Sequence, residues 1–120
     1  MSYDSKGSLN KVMLIGRLGQ DPELKTVSGA SVCTFSLATN TTYKDNAGNS
    51  VENTEWHKVV AWRKLADIIS QYAKKGTKVY VEGKLKTRKW QDSEGKDRYS
   101  TEVVVDGFGC FNNVKRKVWR

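Results

Sequence analysis

Residues 65–90 read LADIISQYAKKGTKVYVEGKLKTRKW, and the change of period inside this stretch decides the fold. Leu65, Ile68, Ile69 and Tyr72 fall at i, i+3, i+4 and i+7, a single apolar stripe that predicts one amphipathic helix packed on a core. Lys74 and Lys75 read as its last turn, where cations suit the helix dipole, and Gly76 as its C-terminal stop. From Thr77 the period shortens to two. Val79, Val81, Gly83 and Leu85 alternate with Lys78, Tyr80, Glu82, Lys84 and Lys86, which predicts a long strand with a bend or bulge at Gly83.

Working outward, the flanks are strand-like on both sides. Val12 to Ile15 reads as a strand ending near Gly16, and Gly19-Gln20-Asp21-Pro22 as a turn. Leu24 to Val27 is a short strand before a Ser28–Gly29 turn. A Thr-rich alternating run then extends from Val32 to Tyr43. Lys44 to Asn53 is polar and reads as a mobile hairpin tip, after which Thr54 to Trp62 returns to strand composition. On the far side, Asp92-Ser93-Glu94-Gly95 is a turn and Arg98 to Asp106 another strand. The order is strands, one helix, then a long hairpin. It predicts an all-β domain with one helix, a small closed barrel of the OB type, with a two-layer α+β sheet as the structural alternative.

Composition narrows the function. The 120 residues suit one domain, and 38% hydrophobic residues make a lean core, which suggests that some apolar surface is buried between subunits. No run approaches the roughly 18 apolar residues of a membrane span, and Met1 to Gly7 has no apolar signal core, so a cytosolic protein is expected. Cys33 and Cys110 read as reduced, idle thiols, and with one histidine and no C-x-x-C there is no zinc pattern. The net charge of +8 predicts attraction to polyanions, and no basic amphipathic helix of the membrane-binding kind is visible.

Catalysis finds no frame. His57 is the sole histidine and reads as a structural hydrogen-bonding group, and neither phosphate-loop glycine motif occurs. Glu55, Glu82, Glu94 and Glu102 are scattered and mostly read as surface strand residues, with no metal cluster and no cofactor implied. The aromatics are more telling. Tyr43, Trp56, Trp62 and Trp90 are interleaved with Lys44, Lys58, Arg63, Lys64, Lys84, Lys86, Arg88, Lys89, Lys96 and Arg98. Bases stack on flat side chains whatever their identity while cations track the phosphates, which is the pattern of non-specific single-strand binding. Trp90 between Arg88-Lys89 and Gln91-Asp92 has no core environment, and the even spacing of Trp56 and Trp62 puts both on one side of a strand.

Several stretches then resemble the bacterial-type single-stranded DNA-binding protein family. They are Asn10-Lys11-Val12, Leu18 to Glu23, Ser36 to Thr39, Thr54 to Val60, Lys75 to Trp90, and Asp97 to Val105. The likeness runs from about Ser8 to Asp106, and mitochondrial relatives share it. It implies a five-stranded Greek-key OB barrel over residues 1–110 with a long extended hairpin, and a homotetramer that binds single-stranded DNA in replication, recombination and repair. It implies stacking by Tyr43, Trp56, Trp62 and Trp90. Position 62 is commonly Phe and position 43 commonly Trp in the family. It implies phosphate contacts from Lys11, Lys58, Lys64, Lys75, Lys86, Arg88, Lys89 and Arg98, and a subunit interface that includes His57 and Tyr80. The location implied is the cytoplasm, at the nucleoid, or a mitochondrion for a relative of that branch.

One departure stands out. The family usually ends in a flexible linker and an acidic tip that recruits partners, whereas residues 111–120 are basic, with Lys115-Arg116-Lys117, and read as a flexible stub. Tail-mediated partners are therefore not assigned to these residues. The competing functional reading is an OB adaptor in primosome assembly or DNA uptake, which has less need of all four aromatics.

Overall fold

The computed structural model describes residues 6–111 and 116–119. Its elements are β1 (Val12–Leu18), β2 (Glu23–Val27), β3 (Ala30–Lys44), β4 (Ser50–Trp62), α1 (Arg63–Tyr72), β5 (Lys78–Gln91), β6 (Asp97–Phe111) and β7 (Arg116–Trp119). Five of them form a ring in which β1 pairs β5, β5 pairs β6, β6 pairs β4, β4 pairs β3, and β3 returns to β1 through Arg17↔Ala38 and Leu18↔Leu37. β2 extends the sheet from β3 and β7 from β6. The contact between β4 and β6, Val59↔Val103 and Val60↔Val104, is parallel and the other pairings are antiparallel. A parallel pair needs a long crossover, supplied here by α1 and β5. The fold is the OB type read from the sequence.

The ring encloses the core because alternate side chains point inward. Leu37, Val59, Val79, Val81, Phe108 and Cys33 are fully buried. α1 closes the ring with Ala66 and Ile69, and Ala73 follows them into the core. The helix ends earlier than the sequence suggests. Ala73 takes an extended conformation, its N–H donating to the Ile69 carbonyl, so Lys74 and Lys75 lie beyond the last turn. Burial of the Ala73 side chain draws the chain away before Gly76 is reached. Gly76 instead donates its N–H to the Leu18 carbonyl at 2.8 Å, tying the loop to β1.

Gly83 sits where β5 and β6 shift register, opposite Val105, and a Cβ there would fall 2.1 Å from the Val104 carbonyl oxygen. The extra residue is Asp106 on β6. A bulge reverses which parity faces inward. Val103 and Val105 are buried on one side of it, Phe108 and Cys110 on the other.

Two hairpins run out of the ring and close with the same turn. In β3–β4, Asp45 Oδ1 accepts from the N–H of Ala47 (3.0 Å) and Asn49 (2.9 Å), with Gly48 at φ 81°. In β5–β6, Asp92 Oδ1 accepts from Glu94 (2.9 Å) and Lys96 (3.0 Å), with Gly95 at φ 78°. The left-handed position favours glycine in both turns. The first turn is shorter than the polar run 44–53 suggests, because Ser50 to Asn53 pair with Lys44 to Thr41. A two-stranded ribbon has no buried face, so its strands need no apolar residues to be strands.

The C-terminal stretch also differs from expectation. Arg116–Trp119 is not a free stub but adds β7 to β6, with Trp119 opposite Phe108. Its ring lies 5.8 Å from that of Phe108 and 5.0 Å from that of Tyr72, which covers one end of the core. Residues 112–115 and 120, including Lys115, lie outside the described residues.

Candidate nucleic-acid interface

β4 alternates without interruption, so Trp56, Lys58, Val60 and Trp62 share its outer face while His57, Val59 and Ala61 turn inward. β3 places Ala38, Ser36, Thr34 and Val32 opposite the four outer residues. On the other side, β6 contributes Glu102 and Val104, and β5 contributes Lys84, Lys86 and Arg88. These residues, with Lys25 and Val27 of β2, line a groove of about 870 Å³. A smaller recess of about 300 Å³ continues from Thr34 and Lys58 to Trp56 and Gln20. An unbroken track thus carries Trp56 and Trp62 with Lys58 between them.

Both tryptophan residues are exposed, Trp56 to 59% and Trp62 to 43%. The open ring of Trp56 is nonetheless held. A Cβ on Gly19 would lie 2.4 Å from its Cζ3, so the glycine backbone forms the floor on which the indole rests. The contact is with Cε3, Cζ3 and Cη2 along one edge of the benzo ring, and more than half of the residue stays exposed. Gly19 read from sequence only as a turn residue, since nothing local announces a ring 37 positions away.

Trp90 lies on the same face of β5 as Lys86 and Arg88, further out, with Arg98 directly across from it. Tyr43 is not brought to the same side as Trp56. It pairs with Val51, and alternation puts it on the opposite face of the β3–β4 ribbon, exposed near the turn. Trp56, Trp62 and Trp90 are therefore presented on the outer face of the sheet, with Tyr43 behind.

The basic residues divide in the same way. Lys58, Lys86 and Arg88 flank the groove, and Arg98 extends it toward Trp90 while its Nε donates to Asp92 at 3.0 Å. Lys89 turns to the reverse of the hairpin and pairs with Asp97 at 3.3 Å. Lys11 lies beside β5, 3.4 Å from Glu82, and Lys64 is exposed in the first turn of α1. Lys75 sits in the loop after the helix, its N–H donating to Asp21 at 2.8 Å. Of the groove cations, Lys25 escaped the sequence reading, while Lys84 was among the interleaved basic residues but not among the phosphate contacts that the resemblance implies. The parity of Lys84 with Lys86 and Arg88 was the available signal.

His57 and Tyr80 occupy different sides of the sheet. His57 is half-buried on the inner parity of β4, with Nε2 2.9 Å from Thr39 Oγ1. Tyr80 lies on the outer parity of β5 opposite Ile15, and its hydroxyl donates to Glu82. Beside it, Met13 and Ile15 expose 62% and 54% of their surface on β1.

Glu102 corrects the sequence reading directly. It is no surface acid but is 7% exposed at the base of the groove. Its Oε2 accepts from Lys58 Nζ at 3.2 Å and from Arg88 Nη2 and Nε at 3.3 and 3.4 Å. The neighbours that bury it belong to two other strands and are invisible along its own. Among the described residues, no three or more His, Cys, Asp or Glu gather as a metal site would require. No described helix is long and apolar enough to cross a membrane.

The Single-strand binding protein family model matches residues 9–112. Over 98 residues the chain is 60% identical to Single-stranded DNA-binding protein 1 of Chlorobaculum tepidum, a match covering 80% of this chain and 60% of that protein's length. Its fold is similar to the solved Plasmodium falciparum SSB complex with ssDNA, with a TM-score of 0.73 and 38% identity over 98% of this chain and 96% of that one.

Proposed function

The chain belongs to the single-strand binding protein family, and from that premise we propose that it binds single-stranded DNA without sequence preference, protecting and organising it in replication, recombination and repair. The observation that carries this reading is the outer face of β4, where Trp62 lies in a groove walled by Lys84, Lys86 and Arg88, Trp56 lies in the recess that continues it, and Lys58 lines both. Bases stack on the indoles and phosphates meet the cations. Neither interaction reads base edges, so the binding tolerates any sequence.

Trp56, Trp62 and Trp90 serve as stacking platforms along one face, with Tyr43 engaging a strand that passes around the β3–β4 tip. Lys58, Lys86, Arg88 and Arg98 follow the phosphates beside the groove, while Lys11, Lys64, Lys75 and Lys89 meet a strand that leaves it. The working unit is a homotetramer. Met13 and Ile15 beside Tyr80 form the apolar face that assembly would cover, and His57 lies at a second contact. The protein performs no catalysis and works in the cytoplasm at the nucleoid.

Titration with oligo(dT) and with the matching duplex, at low and high salt, tests this reading, with tryptophan fluorescence and molar mass followed together. Strong quenching by the single strand, a weak response to duplex and a tetramer mass are expected. Equal responses to both forms would reduce the surface to a general polyanion patch and favour an adaptor acting through protein contacts.

A further inference from the structure

We infer that Glu102 is a positioning residue that acts as a built-in competitor for phosphate, limiting how tightly the groove holds DNA and keeping the strand exchangeable. The inference rests on the single-strand reading above.

The geometry is specific. One carboxylate oxygen, Oε2, takes Lys58 from β4 and Arg88 from β5 together. The acid is buried, but the cations keep 47% and 54% of their side chains exposed, so their outer sides remain open to the groove. The other charged groups lining this groove are Lys25, Lys84 and Lys86, all of the opposite sign. Glu102 is therefore the one acid among the residues that line this groove, Asp21 and Glu23 lining the recess beyond it with Glu23 paired to Lys25 at 2.9 Å, and it occupies the place between two donors that a phosphate oxygen would take. A phosphate arriving there meets cations that are already oriented, and also a buried negative charge that already holds two of them. It must share the donors or draw them away. Positioning and restraint come from the same carboxylate.

Glu102→Gln separates the two roles. The amide oxygen still accepts from Lys58 and Arg88, while the competing charge is gone. With the oligo(dT) titration, this variant is expected to bind on the order of tenfold more tightly at low salt. Its dissociation is slower, and its log–log salt dependence is steeper by about 0.7 for each cation released from the acid. Glu102→Asp, which keeps the charge, returns the slope toward wild type. Thermal melting and molar mass confirm that each variant is assembled.

A second comparison needs no change at Glu102. Lys84→Gln removes a groove cation that faces Val104 and not an acid, and lowers the salt slope by about 0.7, whereas Arg88→Gln lowers it by less, because Arg88 is already partly neutralised. Wild-type protein that binds single strands, together with a Glu102→Gln variant no tighter than it, or an Arg88→Gln loss equal to or above that of Lys84→Gln, overturns this inference and leaves the function standing. Wild-type protein that ignores single strands overturns both.

Discussion

The β3–β4 and β5–β6 hairpins leave the same ring and end in the same Asp-x-x-Gly-x turn, yet their flanks are built from different chemistry. The first arm is rich in Thr and Asn. It carries Asp45, Glu52 and Glu55 against Lys44 alone, and one of its cross-strand links is Thr54 Oγ1 to Asn40 Oδ1 at 2.8 Å. The second carries Lys84, Lys86, Arg88, Lys89, Lys96 and Arg98, and its links include Lys89–Asp97 and Arg88–Glu102. Turn chemistry thus fixes the shape of an arm, while the flanking strands decide what it attracts. The first arm roots Trp56, the proposed stacking platform, and the second supplies most of the groove's charge. Stacking depends weakly on salt and phosphate contact strongly, so the two contributions are separable by experiment.

The largest effect is expected from removing a platform on each arm. Trp56→Ala with Trp90→Ala should weaken oligo(dT) binding by about 2–6 kcal/mol, with little change in salt slope, measured by anisotropy of labelled oligonucleotide. A loss under about 0.5 kcal/mol would remove stacking from the account. Next comes Gly19→Ala, which pushes the Trp56 ring off its floor. It should cost roughly 1 kcal/mol of binding, within the range of one stacked base, and change the Trp56 emission in the free protein. Lys84→Gln with Lys86→Gln should flatten the salt slope by about 1.4 while leaving tryptophan quenching at saturation intact. Equal flattening by Lys44→Gln on the first arm would break the comparison.

A smaller effect concerns the second tip and acid. The Asp92 carboxyl is held below its ordinary value of 3.8, first by the Lys96 N–H, then by the Arg98 guanidinium and the Glu94 N–H. A depressed carboxyl stabilises the folded turn above the unfolded value and loses that contribution as pH falls through the folded one. Protection of the Glu94 and Lys96 amides, taken relative to their intrinsic exchange rates, should therefore fall toward low pH, and Asp92→Asn should abolish that loss of protection. The smallest effect lies beneath the arms. Burial pushes the Cys33 thiol up to about 11 and raises that of Cys110. Both should resist a disulfide reagent at neutral pH until the protein unfolds. As pH rises through about 11 the buried thiol loses its protonated advantage and stability falls.

Much of this was legible in the sequence, for a physical reason. Period reports burial, so the helix from Leu65, the alternation through Val79 and Val81, and the common face of Trp56 and Trp62 could be read directly. What escaped depends on neighbours across the sheet. Ser50 to Asn53 look like loop because their strand has no buried face. Glu102 looks exposed because Lys58 and Arg88 arrive from elsewhere. Asp106 gives no warning that it reverses the parity of β6, and Tyr43 looks like a partner of Trp56 although alternation sets it behind.

The parallel contact of Val59 and Val60 with Val103 and Val104 also sets a clock. β6 stands between β5 and β4 in the ring, so nothing closes until residues past 100 have left the ribosome. Until then β1, β3 and β4 wait as an open sheet with Leu37 and Val59 unsheltered. Such late, distant pairing folds slowly and leaves its intermediates prone to aggregate. The vulnerable moment in the life of this protein falls during its synthesis, when the barrel lacks its last stave.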